Sequence, residues 1–394
     1  MSEVFNLGKG NWAGRYQKML AYKVDNGNYI ANELSFTRTT TGTFVNQNGF
    51  IEEQELRVPR VDYLNNSNGT LLLEPQRTNL VTYSEDFSQW SAIGSNQTLV
   101  NNTNPIDSNA YEIESSVTSS HSRIYLNALM TAGNDYSSTY LVKPSSNPPE
   151  YLGFACISNL QPDVLYDFAN DQFVDFNIVG NAAKCESISM NNGWKLLKVP
   201  VHENVINTRF NIYQGSRVGN NLYGTTGESY YIKFAQLEQG SYATSYIPTS
   251  GTSVTRTYDY FNGIFEEVTT QGTIFIDFEK LTQSGASYRF RSINYNVAYA
   301  FYFYGGGMDV YNGSSFMVDR TTLEPNNSKI AVSCNGTNVK IFINGNNRTK
   351  SNAVASIYNV SRITFQDQND IGNLNEVKVY NTELTDEELI NLTT

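Results

Sequence analysis

Residues 110–155 read AYEIESSVTSSHSRIYLNALMTAGNDYSSTYLVKPSSNPPEYLGFA, a series of short apolar runs separated by polar segments rich in Ser, Asn and Pro. Aromatic and β-branched residues recur within these runs, which is typical of half-buried β-strands. Similar runs continue to about residue 256, at spacings of about 10–15 residues with turn-forming residues between them. This pattern predicts an antiparallel β-sandwich over residues 88–256.

A second series of strand-like runs begins at about residue 257 and continues to the C-terminus. Its turns include Cys-Asn-Gly at 334–336 and Ile-Asn-Gly at 343–345, and Asn-Gly is a strong signal for a β-hairpin. The last residues form the one clear helical pattern, with Thr385 suited to the N-cap and Glu388 to a capping box. We therefore predict an all-β fold of two tandem antiparallel β-sandwiches, with an N-terminal arm and a short C-terminal helix.

The first 87 residues differ from the rest. Residues 1–34 mix Gly, Asn, Lys and aromatic residues without sustained periodicity, and we interpret them as an attachment arm that packs against another body. Trp12, Arg15 and Tyr16 are its candidate attachment residues, and the alternative is a terminus folded back on its own domain. Residues 35–87 contain short apolar runs between Asn- and Gly-rich turns, which predict a β-hairpin segment that leads into the first sandwich. Deleting the arm is expected to leave both sandwiches folded.

The composition argues against several classes of protein. The formal net charge is −11 and the pI is about 4.8, whereas proteins that bind nucleic acids or anionic membranes need a basic face. No run approaches 18 consecutive apolar residues and the N-terminus lacks a secretory pattern, so neither a transmembrane helix nor a signal peptide is expected. Cys156, Cys185 and Cys334 are an odd number without a CxxC pair, which favours reduced thiols in a protein made in a cytoplasm.

The sequence contains no strong catalytic motif, and we assign no catalytic residues. The two histidines, His121 and His202, belong to no metal-binding pattern and are expected to be solvated or packed. The best acid pair for glycoside hydrolysis is Asp277 with Glu279, on one face of a predicted strand, but the third acid of the ExDxxE pattern is absent. Four more acids lie near one another in sequence and fit turns equally well: Asp163, Asp167, Asp171 and Asp175.

Two groups of residues are candidates for binding carbohydrate. Proteins hold sugars by stacking aromatic rings on them and by hydrogen-bonding their hydroxyls to planar polar side chains. Alternation along one predicted strand of the first sandwich puts Arg209, Asn211 and Tyr213 on one face. In the second sandwich it puts Tyr302 and Tyr304 on one face, which also fits an oligomer contact or ordinary surface. Two tryptophans are further candidates: Trp90 and Trp194.

Three arginines lie beside apolar residues and near carboxylates in the segment before the first sandwich. A guanidinium can tie loops to a sandwich by bidentate pairing with a carboxylate, and we favour this structural role. The alternative is a basic spot that faces a ligand. The arginines are Arg38, Arg60 and Arg77, and the carboxylates are Glu52, Asp62 and Glu74.

Two stretches resemble recurrent segments of bacteriophage virion proteins, in which the first introduces a carbohydrate-binding-module-like sandwich and the second closes it. The C-terminal region resembles concanavalin A-like or laminin G-like jelly rolls. Two motifs carry this resemblance: FING at 342–345 and GNLNEVKVYN at 372–381. The first stretch comprises FTR at 36–38, GFIE at 49–52, PRVDY at 59–63, LLEPQRTNL at 72–80 and YSEDF at 83–87. The second comprises AQLEQGSYATSYIPT at 235–249 and Thr-Arg at 255–256.

The resemblance implies a non-enzymatic virion protein (a fibre, decoration or tail appendage) with jelly-roll sandwiches that engage host-surface carbohydrate. It implies a location in the virion, contacts with other virion proteins through the N-terminal arm, and a homo-oligomer, with a trimer favoured. No cofactor is expected, although related sandwiches often hold a structural Ca²⁺ on loop carboxylates, and Asp-rich loops occur at 167–171 and 367–370. Two alternatives stay open: a purely structural virion component without a ligand, and a depolymerase of surface polysaccharide.

Overall fold

The chain divides into two compact units in the computed structural model. Unit 1 comprises Met1–Gln47, Glu53–Gln76 and Thr257–Thr394, and unit 2 comprises Asn48–Glu52 and Arg77–Arg256. At some strand positions, only the backbone is described. The described residues are 4–8, 14–15, 17–25, 28–101, 105–106, 109–127, 130–131, 133–155, 161–201, 209–268, 271–279, 285–292, 297–304, 307–311, 317–318, 328–336, 338–350, 360–365 and 372–394.

Nearly all of the regular structure is β-strand, so the all-β prediction is confirmed. Three short 3₁₀ turns and one helix, α1 (Asp386–Thr393), complete the described elements. The strands up to the end of unit 2 are β1 (Val4–Gly8), β2 (Gly14–Arg15), β3 (Lys18–Asp25), β4 (Asn28–Thr37), β5 (Gly42–Val45), β6 (Ile51–Gln54), β7 (Arg60–Asp62), β8 (Thr70–Leu73), β9 (Arg77–Asn79), β10 (Ser91–Ile93), β11 (Ser95–Val100), β12 (Ala110–Ser115), β13 (Ser122–Asn127), β14 (Tyr136–Pro144), β15 (Tyr151–Ala155), β16 (Val164–Asp167), β17 (Gln172–Asp175), β18 (Glu186–Ser189), β19 (Lys195–Val201), β20 (Arg209–Val218), β21 (Asn221–Tyr223), β22 (Ser229–Gln239) and β23 (Val254–Arg256). The later strands are β24 (Tyr260–Val268), β25 (Gly272–Glu279), β26 (Gly285–Ser292), β27 (Val297–Tyr304), β28 (Gly307–Tyr311), β29 (Ser328–Cys334), β30 (Val339–Ile343), β31 (Asn346–Asn347), β32 (Val360–Phe365) and β33 (Gly372–Tyr380).

Unit 2 is an antiparallel β-sandwich. Its seven-stranded sheet has the order β10-β13-β20-β15-β16-β17, with β21 also paired to β20, and its six-stranded sheet has the order β11-β12-β22-β14-β19-β18. One apolar cluster takes side chains from both sheets, including Tyr140 and Ile232 from the second and Phe154 and Ile212 from the first. The two sheets therefore pack face to face across this core, as the strand pattern of residues 88–256 predicts.

Unit 1 is built on one sixteen-stranded sheet. Its main path is β28-β27-β26-β32-β24-β4-β3-β1-β33-β25-β29-β30-β31, with β2, β7 and β8 paired to strands beside it. Side chains from strands far apart along this path meet in one buried cluster, which includes Phe36, Ile276, Ile341 and Ile363. The sheet therefore curls over and encloses its own apolar core, as the strands of a jelly-roll sandwich do.

The N-terminal residues form strands of this sheet. β1 pairs with both β3 and β33, so that Val4 lies opposite Tyr380, and β4 pairs with β24. The sequence-based boundaries put residues 1–34 in an arm apart from residues 257–394, whereas the structure groups the two segments in one unit. The physical reason is that β1 completes the hydrogen bonding of both neighbours and removes two sheet edges.

The candidate attachment residues lie at the start of this region. Arg15 is in β2, opposite Lys18 of β3, and its side chain is not among those described. Trp12 and Tyr16 lie outside the described residues. The attachment role therefore stays a prediction.

The C-terminal helix begins with the predicted capping box. Thr385 Oγ1 accepts a hydrogen bond from the Glu388 amide (3.3 Å), and Glu388 Oε2 accepts one from the Thr385 amide (2.8 Å). Leu389 then packs with Phe275 and Phe342 in a small apolar cluster on the sheet of unit 1. Among the described residues, no helix has the length and apolarity needed to cross a bilayer.

A buried network of charges joins three segments of unit 1. Asp259 Oδ1 lies 3.1 Å from Arg38 Nη1, and Asp259 Oδ2 accepts from Arg60 Nη2. Glu74 Oε2 lies 2.7 Å from Arg60 Nη1, and these four side chains are almost completely buried. Burial lowers the pKa of Arg60, but the charges of Asp259 and Glu74 outweigh it and raise this pKa above its usual value. Arg38 and Arg60 thus have the structural role favoured from the sequence.

The sequence identified only part of this network. Glu74 is a partner of Arg60, but Asp62 instead accepts hydrogen bonds from the amides of Val45 (2.7 Å) and Leu64 (3.1 Å). Asp259, the carboxylate that joins Arg38 to Arg60, is about 200 residues from both in sequence (199 and 221 residues). Only the fold reveals that it is their partner.

The two stretches that resemble virion proteins meet in a seam of unit 2. β9 pairs with β23, and Asn79 Nδ2 donates to the carbonyl oxygen of Ile247 (2.8 Å). The Tyr246 hydroxyl donates to Glu85 Oε1 (2.7 Å) and lies 2.7 Å from Ser84 Oγ. Burial and the charge of Glu85 raise the pKa of Tyr246 well above its usual value. These residues hold the first and last strands of unit 2 together.

Candidate functional site

The seven-stranded sheet of unit 2 has one face toward the core and an opposite face, which we call the outer face. The register of β13 against β20 pairs Arg123 with Tyr213, Tyr125 with Asn211, and Asn127 with Arg209. Directly paired residues point to the same side of an antiparallel sheet, so these six side chains share the outer face. Four neighbours on β10 and β15 complete it: Ser91, Ile93, Gly153 and Ala155.

Four of these side chains form a row of alternating arginine and tyrosine, the Arg–Tyr ladder, consisting of Tyr213, Arg123, Tyr125 and Arg209. Arg123 Cζ lies 5.1 Å from the ring centre of Tyr213 and 5.7 Å from that of Tyr125. Arg209 Cζ lies 5.1 Å from the ring centre of Tyr125. These distances fall within the range of cation–π contacts, which stabilise the row and fix the orientation of its rings.

The ladder runs from the interior of unit 2 to its surface. Tyr213 is fully buried and Arg123 is 6% exposed, whereas Tyr125 and Arg209 are partly exposed. Arg123 Nη1 also donates a hydrogen bond to the Tyr213 hydroxyl. Burial raises the pKa of Tyr213 above its usual value even though the charge of Arg123 lowers it. The buried half therefore holds the exposed half in place.

Alternation places the three predicted residues of this strand on one face, but the structure gives them different environments. Arg209 reaches the surface, whereas Asn211 and Tyr213 are fully buried. Tyr213 packs in an apolar cluster with Leu222 of β21, whose side chain, with that of Pro162, lies close over Gly153. Tyr213 therefore supports the ladder and is not available to stack on a ligand.

The sequence analysis missed Arg123 and Tyr125. Within SRIYLN of β13, polar and aromatic residues alternate with Ile124 and Leu126, so the alternation alone could have placed Arg123 and Tyr125 together. Their position beside Arg209 follows only from the pairing of β13 with β20.

The other aromatic candidates are buried or lie outside the described side chains. Trp90 and Trp194 are both buried, with Trp90 in the core of the sandwich. Tyr302 and Tyr304 lie in β27, opposite Asp309 and Gly307 of β28, and the structure describes their backbone alone. Their assignment to a glycan face therefore stays a prediction.

The proposed acid pair lies in the sheet of unit 1. Asp277 is 8% exposed, and its Oδ1 accepts a hydrogen bond from Asn375 Nδ2 (3.1 Å). Across the strands it faces Glu376, whose Oε2 is 3.0 Å from Lys378 Nζ. The Glu279 side chain is outside the described part, so no distance joins the predicted pair.

Three of the four acids at residues 163–175 have separate local partners. Asp167 accepts from the amides of Ala169 (2.9 Å) and Asn170 (3.1 Å), and Asp175 accepts from the amides of Gly180 (2.6 Å) and Ala182 (2.7 Å). These hydrogen bonds stabilise turns, which is the role that the sequence analysis gave as the alternative to a catalytic one.

Asp171 lies in a surface network, in which its Oδ1 accepts from Tyr166 OH (2.7 Å) and Ser187 Oγ (2.6 Å) and its Oδ2 pairs with Lys195. Within the described part of the chain, no group of three or more His, Cys, Asp or Glu side chains is arranged to hold a metal ion. Asp367 and Asp370, the other calcium candidates, lie outside it.

The histidine and cysteine predictions concern residues that are only partly described. His121 packs its ring against Tyr213 (6.2 Å between centres) and Tyr223 (5.2 Å), and its Nδ1 lies 3.2 Å from the Leu222 carbonyl oxygen. His202 and Cys156 lie outside the described residues. Cys185 and Cys334 are free thiols, and burial raises the pKa of Cys185 to about 12, which keeps it protonated and unreactive at neutral pH.

Comparison with known proteins assigns this chain to no family. No protein-family model matches the sequence, and no curated protein matches it. Among solved structures, the sialidase of Trypanosoma rangeli in complex with the inhibitor DANA is similar over 95% of this chain and 78% of that chain, at 11% identity and a TM-score of 0.27. The same sialidase in complex with sialic acid is similar over 95% of this chain and 77% of that chain, at 11% identity and a TM-score of 0.27.

Proposed function

We propose that this protein is a non-enzymatic bacteriophage virion protein (a fibre, decoration or tail appendage) that binds host-surface carbohydrate through the outer face of unit 2. The observation that carries the binding role is the Arg–Tyr ladder, in which Tyr125 and Arg209 reach the surface while Arg123 and Tyr213 hold them from below. A pre-oriented aromatic ring beside planar hydrogen-bond donors is the arrangement that sugar recognition needs.

The chemistry of binding assigns a role to each exposed side chain. The exposed edge of the Tyr125 ring, which lies between the guanidinium groups of Arg123 and Arg209, offers an apolar contact to a sugar, and Arg209 and Asn127 offer N–H donors to its oxygen atoms. The buried half of the ladder limits the motion of Tyr125, so less conformational entropy is lost when a ligand binds. Binding without bond cleavage requires only these contacts.

The virion part of the proposal rests on the resemblance of residues 36–87 and 235–256 to virion proteins. In this proposal the particle is contacted by Trp12, Arg15 and Tyr16, and the protein is a homo-oligomer, with a trimer favoured. A purely structural virion component is the second candidate. It is favoured by the seam of unit 2, because Asn79, Ser84 and Tyr246, which carry the resemblance, serve to join strands.

Replacing Tyr125 with alanine is expected to weaken glycan binding at least tenfold, or about 1.4 kcal/mol, because the aromatic contact and the ring that orients Arg209 are both removed. The measurement is binding of fluorescent protein to an array of bacterial surface polysaccharides. Tyr231→Ala is the matched control, since Tyr231 is a partly exposed tyrosine of the six-stranded sheet. Equal binding by wild type and Tyr125→Ala would exclude the outer face, and no binding by wild type to any glycan would favour the purely structural role.

A further inference from the structure

Two guanidinium groups lie near a single aromatic ring on the outer face. Arg123 Cζ and Arg209 Cζ are 5.7 Å and 5.1 Å from the ring centre of Tyr125. The chain as a whole carries a net charge of −11, so two positive charges at one ring are a local departure from the charge of the protein. A site for a neutral sugar needs one aromatic ring and hydrogen-bonding groups, not two cations.

Among the described residues that pair with the exposed end of the ladder, none carries a negative charge. On the neighbouring strands, the side chains at the same level are those of Ser91, Asn127 and Asn211, all uncharged. At the buried end, burial and, to a smaller extent, the charge of Asp163 raise the pKa of Tyr213, the hydrogen-bond partner of Arg123. Within the described part of the chain, the paired strands therefore supply no carboxylate at the exposed end.

Arg209 is the cation at the exposed end. Its described contact is the ring of Tyr125, and within the described part of the chain no carboxylate forms an ion pair with it. A guanidinium that stacks on a ring keeps its N–H donors in the plane of the group, free to point past the edge of the ring. Those donors match the two oxygen atoms of a carboxylate.

We propose that the outer face of unit 2 recognises a carboxylated sugar, with Arg209 paired with its carboxylate and the exposed edge of the Tyr125 ring in contact with the sugar. This inference rests on the proposed function and names the class of glycan. The carboxylate of such a sugar is bonded directly to a ring carbon, so a sugar in contact with the edge of Tyr125 brings its carboxylate near Arg209, whose Cζ lies 5.1 Å from the centre of the Tyr125 ring. A phosphate or sulfate ester has the same charge chemistry but lies one oxygen atom farther from the ring.

The electrostatics of the chain make this selectivity measurable. A protein with a net charge of −11 repels polyanions in general, so binding of an acidic polysaccharide requires a local cationic site. Affinity for the acidic glycan is therefore expected to fall as the salt concentration rises, because Arg209 is partly exposed and screened by ions.

The experiment measures binding of full-length protein to immobilised alginate, polygalacturonate and polysialic acid, each compared with its carboxyl-reduced form. Dextran sulfate is included to test a sulfate ester. Wild type is expected to bind at least one acidic polymer and to lose at least tenfold in affinity when its carboxyls are reduced. Arg209→Ala is expected to lose the same preference, and Arg209→Lys to retain part of it, because lysine keeps the charge without the planar fork.

Arg217→Ala is the matched control, because it removes one arginine from the same strand and changes the net charge equally. Arg217 is exposed and its Cζ lies 4.9 Å from the ring centre of Phe176, outside the ladder. Its variant is expected to bind like wild type, and thermal unfolding of each variant checks that unit 2 is folded. Equal losses in Arg209→Ala and Arg217→Ala would attribute the effect to net charge and overturn the inference.

The outcomes also separate this inference from the proposed function. Binding to neutral glycans of the array, with no binding to the three acidic polymers, would overturn the carboxylate preference and leave glycan binding intact. If the protein bound dextran sulfate as tightly as the carboxylated polymers, the site would recognise anionic groups in general and not carboxylates in particular. Failure to bind any glycan would remove both proposals.

Discussion

Replacing Asp259 with alanine is expected to destabilise unit 1 by about 3–5 kcal/mol, because it leaves two buried guanidinium groups without their shared carboxylate. Asp259 pairs with Arg38 through one oxygen atom and with Arg60 through the other, and it also accepts a hydrogen bond from the Glu74 amide (2.8 Å). Arg60 would retain Glu74, and Arg38 would retain backbone carbonyl acceptors such as that of Glu55 (2.8 Å). An unpaired charge at this position strongly destabilises the folded state because solvent cannot reach it.

The measurement is hydrogen exchange of the β25 and β29 amides during urea titration, which reports unit 1 separately from unit 2. Asp386→Ala is the control in the same unit, since Asp386 Oδ1 lies 2.6 Å from Lys340 Nζ and its side chain is 60% exposed. Removing that solvent-exposed pair is expected to cost about 1 kcal/mol or less. If Asp259→Ala changes stability no more than Asp386→Ala does, the buried network does not hold unit 1 together.

Replacing Gly8 with alanine is expected to destabilise unit 1 by about 3 kcal/mol, because a Cβ at this position collides with β33. Gly8 has a φ of +113°, and an added Cβ would lie 1.8 Å from the backbone oxygen of Asn375. Asn375 precedes Glu376, which pairs with Gly8 of β1 and with Asp277 of β25, so a shift of this backbone would disturb both pairings. The expected result is weaker protection of β1 and β33 in hydrogen exchange.

Gly345→Ala separates the steric effect of Gly8→Ala from backbone strain alone. Gly345 also has a positive φ, of +76°, but its added Cβ would meet only the side-chain oxygen of Thr394, at 3.1 Å. Gly345→Ala is expected to lower the free energy of unfolding of unit 1 by about 1–2 kcal/mol. Equal effects of the two substitutions would show that β1 does not lie against β33 as described. The same pairing predicts that deletion of residues 2–30 unfolds unit 1, contrary to the expectation from an arm.

The sequence predicts local features well because they depend on neighbouring residues. Alternation along RFNIYQG places Arg209, Asn211 and Tyr213 on one face, and the spacing of Thr385 and Glu388 predicts the capping box. Local pattern does not predict burial of Tyr213, which depends on Leu222 packing over the sheet from β21.

Contacts between distant segments explain the remaining differences. The β3 strand, KMLAYKVD, buries Met19 and Ala21, but such a short alternation shows no partner strand until β1 and β4 are placed beside it. Asp259 lies among aromatic residues at the start of the second strand series, and only the fold brings it to Arg38 and Arg60. Tyr125 joins the candidate site for the same reason, through the register of β13 with β20.

The central claim is that the protein binds glycans and does not cleave them. The most direct measurement is binding of the fluorescent full-length protein to the polysaccharide array before and after periodate oxidation, with reducing ends assayed in the same wells. The proposed function predicts binding that periodate abolishes and no increase in reducing ends. New reducing ends would contradict the non-enzymatic assignment, and binding that survives periodate, or no binding at all, would contradict glycan recognition.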